Sequence, residues 1–170
     1  MDRLWSPWRL PYVTGDTSDT VCVFCAARDE GAAHPLVIWA GVEALVILNK
    51  YPYNNGHVMV VPHGHVASLG ALGPSVLQEV ALLTQRAEAV LMAAYRPQGI
   101  NVGVNIGKAA GAGIDDHLHV HLVPRWTGDT NFITTIGETR VLPEALEAAA
   151  VRLRPIFAEV MAAPAPTTAS

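Results

Sequence analysis

Two apolar runs, Pro35 to Ala40 and Ala44 to Leu48, flank Gly41-Val42-Glu43, which has the composition of a hairpin turn. A second turn signal, Tyr51-Pro52-Tyr53-Asn54-Asn55-Gly56, precedes the short apolar run His57-Val58-Met59-Val60-Val61-Pro62, which again reads as a strand. Three strands with short links predict an antiparallel meander. From Pro74 the period changes. Val76, Val80, Leu83, Ala87, Val90, Leu91 and Ala94 recur at three- and four-residue steps, with Gln78, Glu79, Gln85, Arg86 and Glu88 mainly between them. This predicts an amphipathic helix over 74–95 with proline at its opening, stopped by Arg96-Pro97-Gln98-Gly99. Ile100, Val102, Val104 and Ile106 then alternate with Asn101, Gly103 and Asn105, the pattern of a strand with one apolar and one small, polar face. A second helix is expected from Pro143 to about residue 160. The fold class is α+β: an antiparallel sheet of about five strands with one long helix and a C-terminal helix.

Residues 1–21 show neither period and are expected to form an arm packed by Trp5 and Trp8, while 163–170 have the composition of disorder. A single domain over 1–162 is therefore expected, in keeping with a length of 170 residues. A chain of this size buries about 70% of its unfolded surface and needs no metal merely to be stable. Eleven Lys and Arg against fifteen Asp and Glu leave a formal charge of −4, which argues against nucleic acid as a partner. Although 51% of residues are hydrophobic, the richest stretch, Leu36 to Leu48, is interrupted by Glu43 and is too short to span a bilayer. No export signal opens the chain, so a cytoplasmic location is expected and no membrane partner.

The chemistry concentrates in His117-Leu118-His119-Val120-His121-Leu122-Val123-Pro124-Arg125. On a strand, His117, His119 and His121 share one face while Leu118, Val120 and Leu122 bury the other. Such a row can cradle a metal, as strand-borne His-x-His pairs do in zinc hydrolases. Alternatively, the middle imidazole is a nucleophile, with one ring nitrogen held protonated and the other lone pair free. Apart from Asp115 and Asp116, no carboxylate-rich element completes a metal site. The loop Gly107-Lys108-Ala109-Ala110-Gly111-Ala112-Gly113 instead offers backbone N–H groups to a phosphate. Cys22-x-x-Cys25 is open to metal ligation, a redox dithiol or plain packing; the redox case needs a helix opening at the second cysteine, which the pattern does not suggest. Lys108 and Arg125 could bring positive charge to an anionic substrate, and Trp126 is the tryptophan nearest the chemistry. His34 and His57 look ordinary, a turn residue and a strand opener, although His57 could lie near a ribose.

The alternating histidines resemble the signature of the histidine triad family of nucleotide hydrolases and transferases. Leu48-Asn49-Lys50-Tyr51-Pro52-Tyr53-Asn54-Asn55-Gly56-His57 with Val60-Val61-Pro62 is similar to the family's N-terminal half. Leu4-Trp5-x-Pro7-Trp8-Arg9 and Pro124-Arg125-Trp126-x-Gly128-Asp129-Thr130-Asn131-Phe132 resemble a subgroup with bacterial diadenosine tetraphosphate phosphorylase-like members. The resemblance implies that His119 attacks the α-phosphorus of a dinucleoside polyphosphate or related nucleotide and carries the nucleotidyl group, flanked by His117 and His121, with His121 on phosphate oxygens or the leaving group. Asn49 would bind ribose and Asn105 orient the phosphate chain. Where many members carry a Gly-Gln-Ser-like segment, this chain has Gly111-Ala112-Gly113-Ile114, so backbone amides would hold the phosphate. The resemblance further implies a structural zinc on Cys22, Cys25, His65 and His117, with His63 as the alternative to His65, and a homodimer whose sheets join. No organic cofactor is expected. The acceptor could be water or orthophosphate. A non-catalytic nucleotide-binding protein and a metal-dependent phosphohydrolase using the His row as ligands are the competing functions. No residue announces itself as a reader of the base edge, so only modest preference among purines is expected.

Overall fold

The computed structural model describes residues 21–130 and 143–164. The aromatic arm through residue 20, the end of the Trp126–Phe132 motif and the tail from residue 165 lie outside them. Five strands form one antiparallel sheet: β1 (Val37–Ala40), β2 (Ala44–Leu48), β3 (Val58–Pro62), β4 (Gly99–Val104) and β5 (Val120–Arg125), in the order β1-β2-β3-β5-β4. The meander is as the turns predict. Gly41 N–H bonds the Ala44 carbonyl across the first turn, and Glu79 accepts from Val42 and Glu43 N–H there. At the second turn Gly56 adopts φ +73°, and a Cβ would meet the Tyr95 ring at 2.7 Å, so only glycine fits.

Every residue of β2 and β3 is buried, because these central strands have apolar side chains packed on both of their faces. The period of two divides them. Ala44, Val46, Leu48, Val58, Val60, Val120 and Leu122 face α2 (Pro74–Tyr95) and α3 (Leu146–Ala162). Leu45, Ile47, Met59 and Val61 face the other way, against Phe24 and Ala27. On α2 the buried residues are Val80, Leu83, Ala87, Val90 and Leu91, the stripe the sequence predicts, and Pro74 sits in the first turn.

Three expectations need correction. A helix absent from the sequence reading, α1 (Val23–Glu30), opens directly after Cys22 and ends at Gly31 with φ +56°. It buries only Phe24 and Ala27, one i, i+3 pair, which is too short a stripe to stand out against random spacing. The strand expected to run to Ile106 ends at Val104, and its apolar face is only partly covered: Ile100 and Val104 pack on the core while Val102 is 53% exposed at the sheet edge. The C-terminal helix starts at Leu146 rather than Pro143 and carries Pro155 inside it. No described helix is long and apolar enough to cross a membrane.

Candidate functional site

Among the described residues, the face of the sheet opposite α2 and α3 is covered only in part, by α1. A cavity of about 450 Å³ lies there, a volume typical of small-ligand sites. Asn49, Asn105, Gly111, Gly113, His119 and His121 line it, together with apolar groups such as Phe24, Leu36, Ile47 and Met59. Ala112 does not reach the lining. Because His121 pairs in register with Met59 across β3 and β5, its ring lies on the cavity face while Val120 and Leu122 enter the core. Only His121 belongs to β5 itself; His117 and His119 sit on the chain entering the strand, where Leu118 N–H bonds the Val66 carbonyl.

All three rings are buried, and each is oriented by a different partner. The Nδ1–H of His119 donates to the His117 carbonyl at 2.8 Å. In the neutral ring this places the free lone pair on Nε2, the condition for a nucleophile. Burial pushes the His119 imidazole below its ordinary value, outweighing the carbonyl, so the neutral form is favoured. Phe24 packs on the ring, with centroids 5.0 Å apart.

His121 is reached through His57, which is fully buried. The backbone N–H of Tyr53 donates to His57 Nδ1 at 3.0 Å, so neutral His57 carries its proton on Nε2. That proton points to His121 Nδ1, 2.9 Å away, which leaves the His121 proton on Nε2. One peptide N–H thus sets the tautomer of two rings in series. Asn49 joins the same group: its Nδ2 lies 3.3 Å from His57 Nδ1 and its Oδ1 accepts from Tyr51 N–H. By its neighbours in sequence His57 is a strand opener; its burial under His121 joins the start of β3 to β5, a contact that no local pattern encodes.

His117 turns away from the cavity. Its Nε2–H donates to the Pro62 carbonyl at 2.9 Å, and its Nδ1 faces Cys22 Sγ at 3.3 Å and Cys25 Sγ at 3.7 Å. Cys25 Sγ also lies 3.4 Å from His65 Nδ1, and Asp116 stands 3.4 Å from His65 Nε2. The four donor atoms fall within 4.8 Å of one another, forming a group that could hold a metal ion. In a tetrahedron with metal–sulfur and metal–nitrogen bonds of about 2.3 and 2.05 Å, the S···N edge is about 3.5 Å, close to the separations here. Each imidazole also has an oxygen on its far nitrogen, the arrangement that orients histidine ligands. His63, the alternative, is elsewhere: its Nε2–H donates to the Gly41 carbonyl. α1 supplies the Cys25 thiol and the residue that caps its start supplies that of Cys22, while Arg28 on its last turn binds the His63 carbonyl at 3.0 Å, tying the helix to the exit of β3.

The glycine loop folds into one tight turn between Gly107 and Gly111, with φ +79° and +87°, and closes on itself through Ala110 N–H to Gly107 O and Gly111 N–H to Lys108 O. The amides at 112–114 have no hydrogen-bond partner among the described residues. Lys108 and Arg125, the two cations expected to serve an anionic substrate, do not line the cavity. Arg125 makes a paired bond to Asp129 and a third to Asn101, and its guanidinium holds the Asp129 carboxyl well below the usual carboxylate range. Lys108 is 83% exposed beside Asp115. Among the described residues, the Lys or Arg on the lining is Lys50.

A five-stranded antiparallel sheet with alternate histidines entering its fifth strand, over an open cavity, defines the histidine-triad class of α+β proteins. The HIT domain profile matches residues 30–128, and the chain belongs to that family. It is 39% identical over 154 residues to a Mycobacterium tuberculosis protein named AP-4-A phosphorylase, covering 86% of this chain and 79% of that one. Among solved structures, a zinc-bound histidine triad family protein from Mycobacterium smegmatis aligns with a TM-score of 0.66 at 30% identity, over 82% of this chain and 95% of the other. A hypothetical histidine triad nucleotide-binding protein from Sulfolobus tokodaii aligns with the same TM-score at 27% identity, over 82% and 93%. Family membership and the similarity to a named phosphorylase support a nucleotide-processing enzyme.

Proposed function

We propose that the chain cleaves dinucleoside polyphosphates such as diadenosine tetraphosphate through a covalent nucleotidyl-histidine at His119, and passes the nucleotidyl group to orthophosphate. The observation that carries this is the bond from His119 Nδ1–H to the His117 carbonyl, which leaves the Nε2 lone pair for attack in a cavity of nucleotide size. Nε2 would bond the α-phosphorus as the bond to the bridging oxygen breaks, and His121, protonated on Nε2, would donate to the departing nucleoside triphosphate. Attack of an orthophosphate oxygen on the same phosphorus then breaks the N–P bond and releases a nucleoside diphosphate. Asn49 would hold ribose, Asn105 and the amides of Gly113 and Ile114 the phosphates, and Lys50 would offset part of their charge. His117, His119 and His121 face three different partners, which favours a nucleophile over a shared metal for the row. The similarity to the mycobacterial phosphorylase supports orthophosphate as acceptor.

Cys22, Cys25, His65 and His117 would hold zinc. With four protein ligands the ion would have no open position and would act as a structural clamp. The assembly would be a homodimer, with the exposed edge of β4 paired to a second copy.

Product analysis tests the reaction. With diadenosine tetraphosphate, ADP should rise in proportion to added orthophosphate, together with ATP. AMP as the sole product from the transferred half at saturating orthophosphate would establish hydrolysis instead.

A further inference from the structure

The cavity has one wall without evident polar character. From the chain before β2 it takes Val21, Val23, Phe24, Ala26, His34 and Leu36, and only His34 among these carries a polar side chain. An apolar wall of this kind discriminates weakly between flat rings of similar shape. A single donor on it would therefore have a large share in deciding which ring is preferred.

His34 is built into place from two sides. Its Nδ1 accepts the Leu36 backbone N–H at 3.2 Å, so in the neutral ring the proton resides on Nε2. The Arg154 guanidinium, reaching from α3, donates to the carbonyls of His34, Pro35 and Val37 at 3.2, 2.7 and 3.0 Å. Three charge-assisted bonds fix the backbone of this segment although it lies outside any strand or helix at His34. The Nε2–H makes no hydrogen bond to a described residue.

We propose that His34 is a specificity-determining residue, whose Nε2–H donates to an acceptor on the ring edge of a purine base. Purines carry such acceptors at ring nitrogens, and guanine also at its 6-carbonyl. The shorter pyrimidine ring leaves the donor unfilled when its sugar and phosphates are held at Asn49 and His119. The inference rests on the nucleotide reading of the cavity.

Asparagine and glutamine divide the imidazole's two functions. His34→Asn keeps an acceptor where Nδ1 stands, and so the bond from Leu36 N–H, but loses the donor at the ring tip. His34→Gln keeps a donor near Nε2 and loses the backbone bond. The experiment measures kcat and KM for diadenosine tetraphosphate and its diuridine counterpart with wild type and both variants. Wild type should prefer the adenine substrate. His34→Asn should lower that preference by about three- to tenfold, the value of one neutral hydrogen bond, mainly through KM, and His34→Gln should restore most of it.

A preference unchanged in His34→Asn, or equal losses on both substrates, would overturn the assignment in favour of a purely structural role. Equal kcat/KM for both substrates in wild type would overturn it without recourse to a variant. Nucleotide turnover with a flat base ratio removes only His34's role. A wild-type chain that neither cleaves nor binds these nucleotides removes the underlying reading of the cavity as well.

Discussion

At the scale of single residues, hydrogen-bond partners assign different work to chemically identical imidazoles. His119 donates from Nδ1 to a carbonyl, His121 accepts at Nδ1 from His57, and His117 donates from Nε2 and turns Nδ1 to two thiols. Replacing His119 by Ala should therefore lower kcat by at least about a hundredfold while leaving nucleotide affinity nearly unchanged, since a nucleophile acts mainly in the transition state. Steady-state rates and equilibrium binding of a nucleotide check both halves. A His119→Ala protein with more than about a hundredth of the wild-type rate would rule out the covalent route. The alternation of 117–125 makes the row legible in the chain and puts His119 and His121 on the cavity side, but it does not foresee that His117 turns to the thiols from the segment before β5. It does not reveal His57, because the pairing of His57 with His121 spans 64 positions.

At the scale of elements, α1 joins two functions. One face packs Phe24 against His117 and His119, and its start brings Cys22 and Cys25 to His65 and His117. His117 offers its side chain to the thiols and its carbonyl to His119, so a metal at this site would steady the chain that carries the proposed nucleophile. Purified protein should carry about one zinc per chain by elemental analysis. Cys25→Ala should lose most of it and melt at lower temperature, with a smaller effect on turnover. Unchanged melting after complete removal of zinc by a chelator would refute a structural role. The spacing of the two cysteines and the three-residue step from Pro62 to His65 are legible in the chain; the helix that carries Cys25 is not, because a single buried i, i+3 pair carries little periodic signal.

At the scale of the whole molecule, the sheet is asymmetric. Among the described residues β1 is covered through α3, whereas β4 ends the other side of the sheet with Val102 about half exposed on it and Ile106 about half exposed just beyond its end. An open edge with apolar residues invites pairing with another strand. A second copy joined across β4 in a twofold arrangement would cover it. Wild type should sediment with twice the chain mass, and Val102→Lys should shift the equilibrium toward the monomer at the same concentration without unfolding it. A wild-type protein that remains monomeric at high micromolar concentration would refute the assembly.

What the amino-acid order determines by itself is what depends on local backbone geometry. The short apolar runs of β2 and β3, the alternation along β4 and into β5, the period near 3.6 along α2, and the turns at 41–43 and 51–56 all follow from residues a few positions apart. Tertiary structure decides which of seven histidines share an environment. Cys22 meets His117 across 95 positions and Cys25 meets His65 across 40, while His34, ordinary by its neighbours, enters the cavity wall under the hold of Arg154, 120 positions away. Periodicity can state which face a side chain occupies. Which partner it meets there depends on how the elements pack.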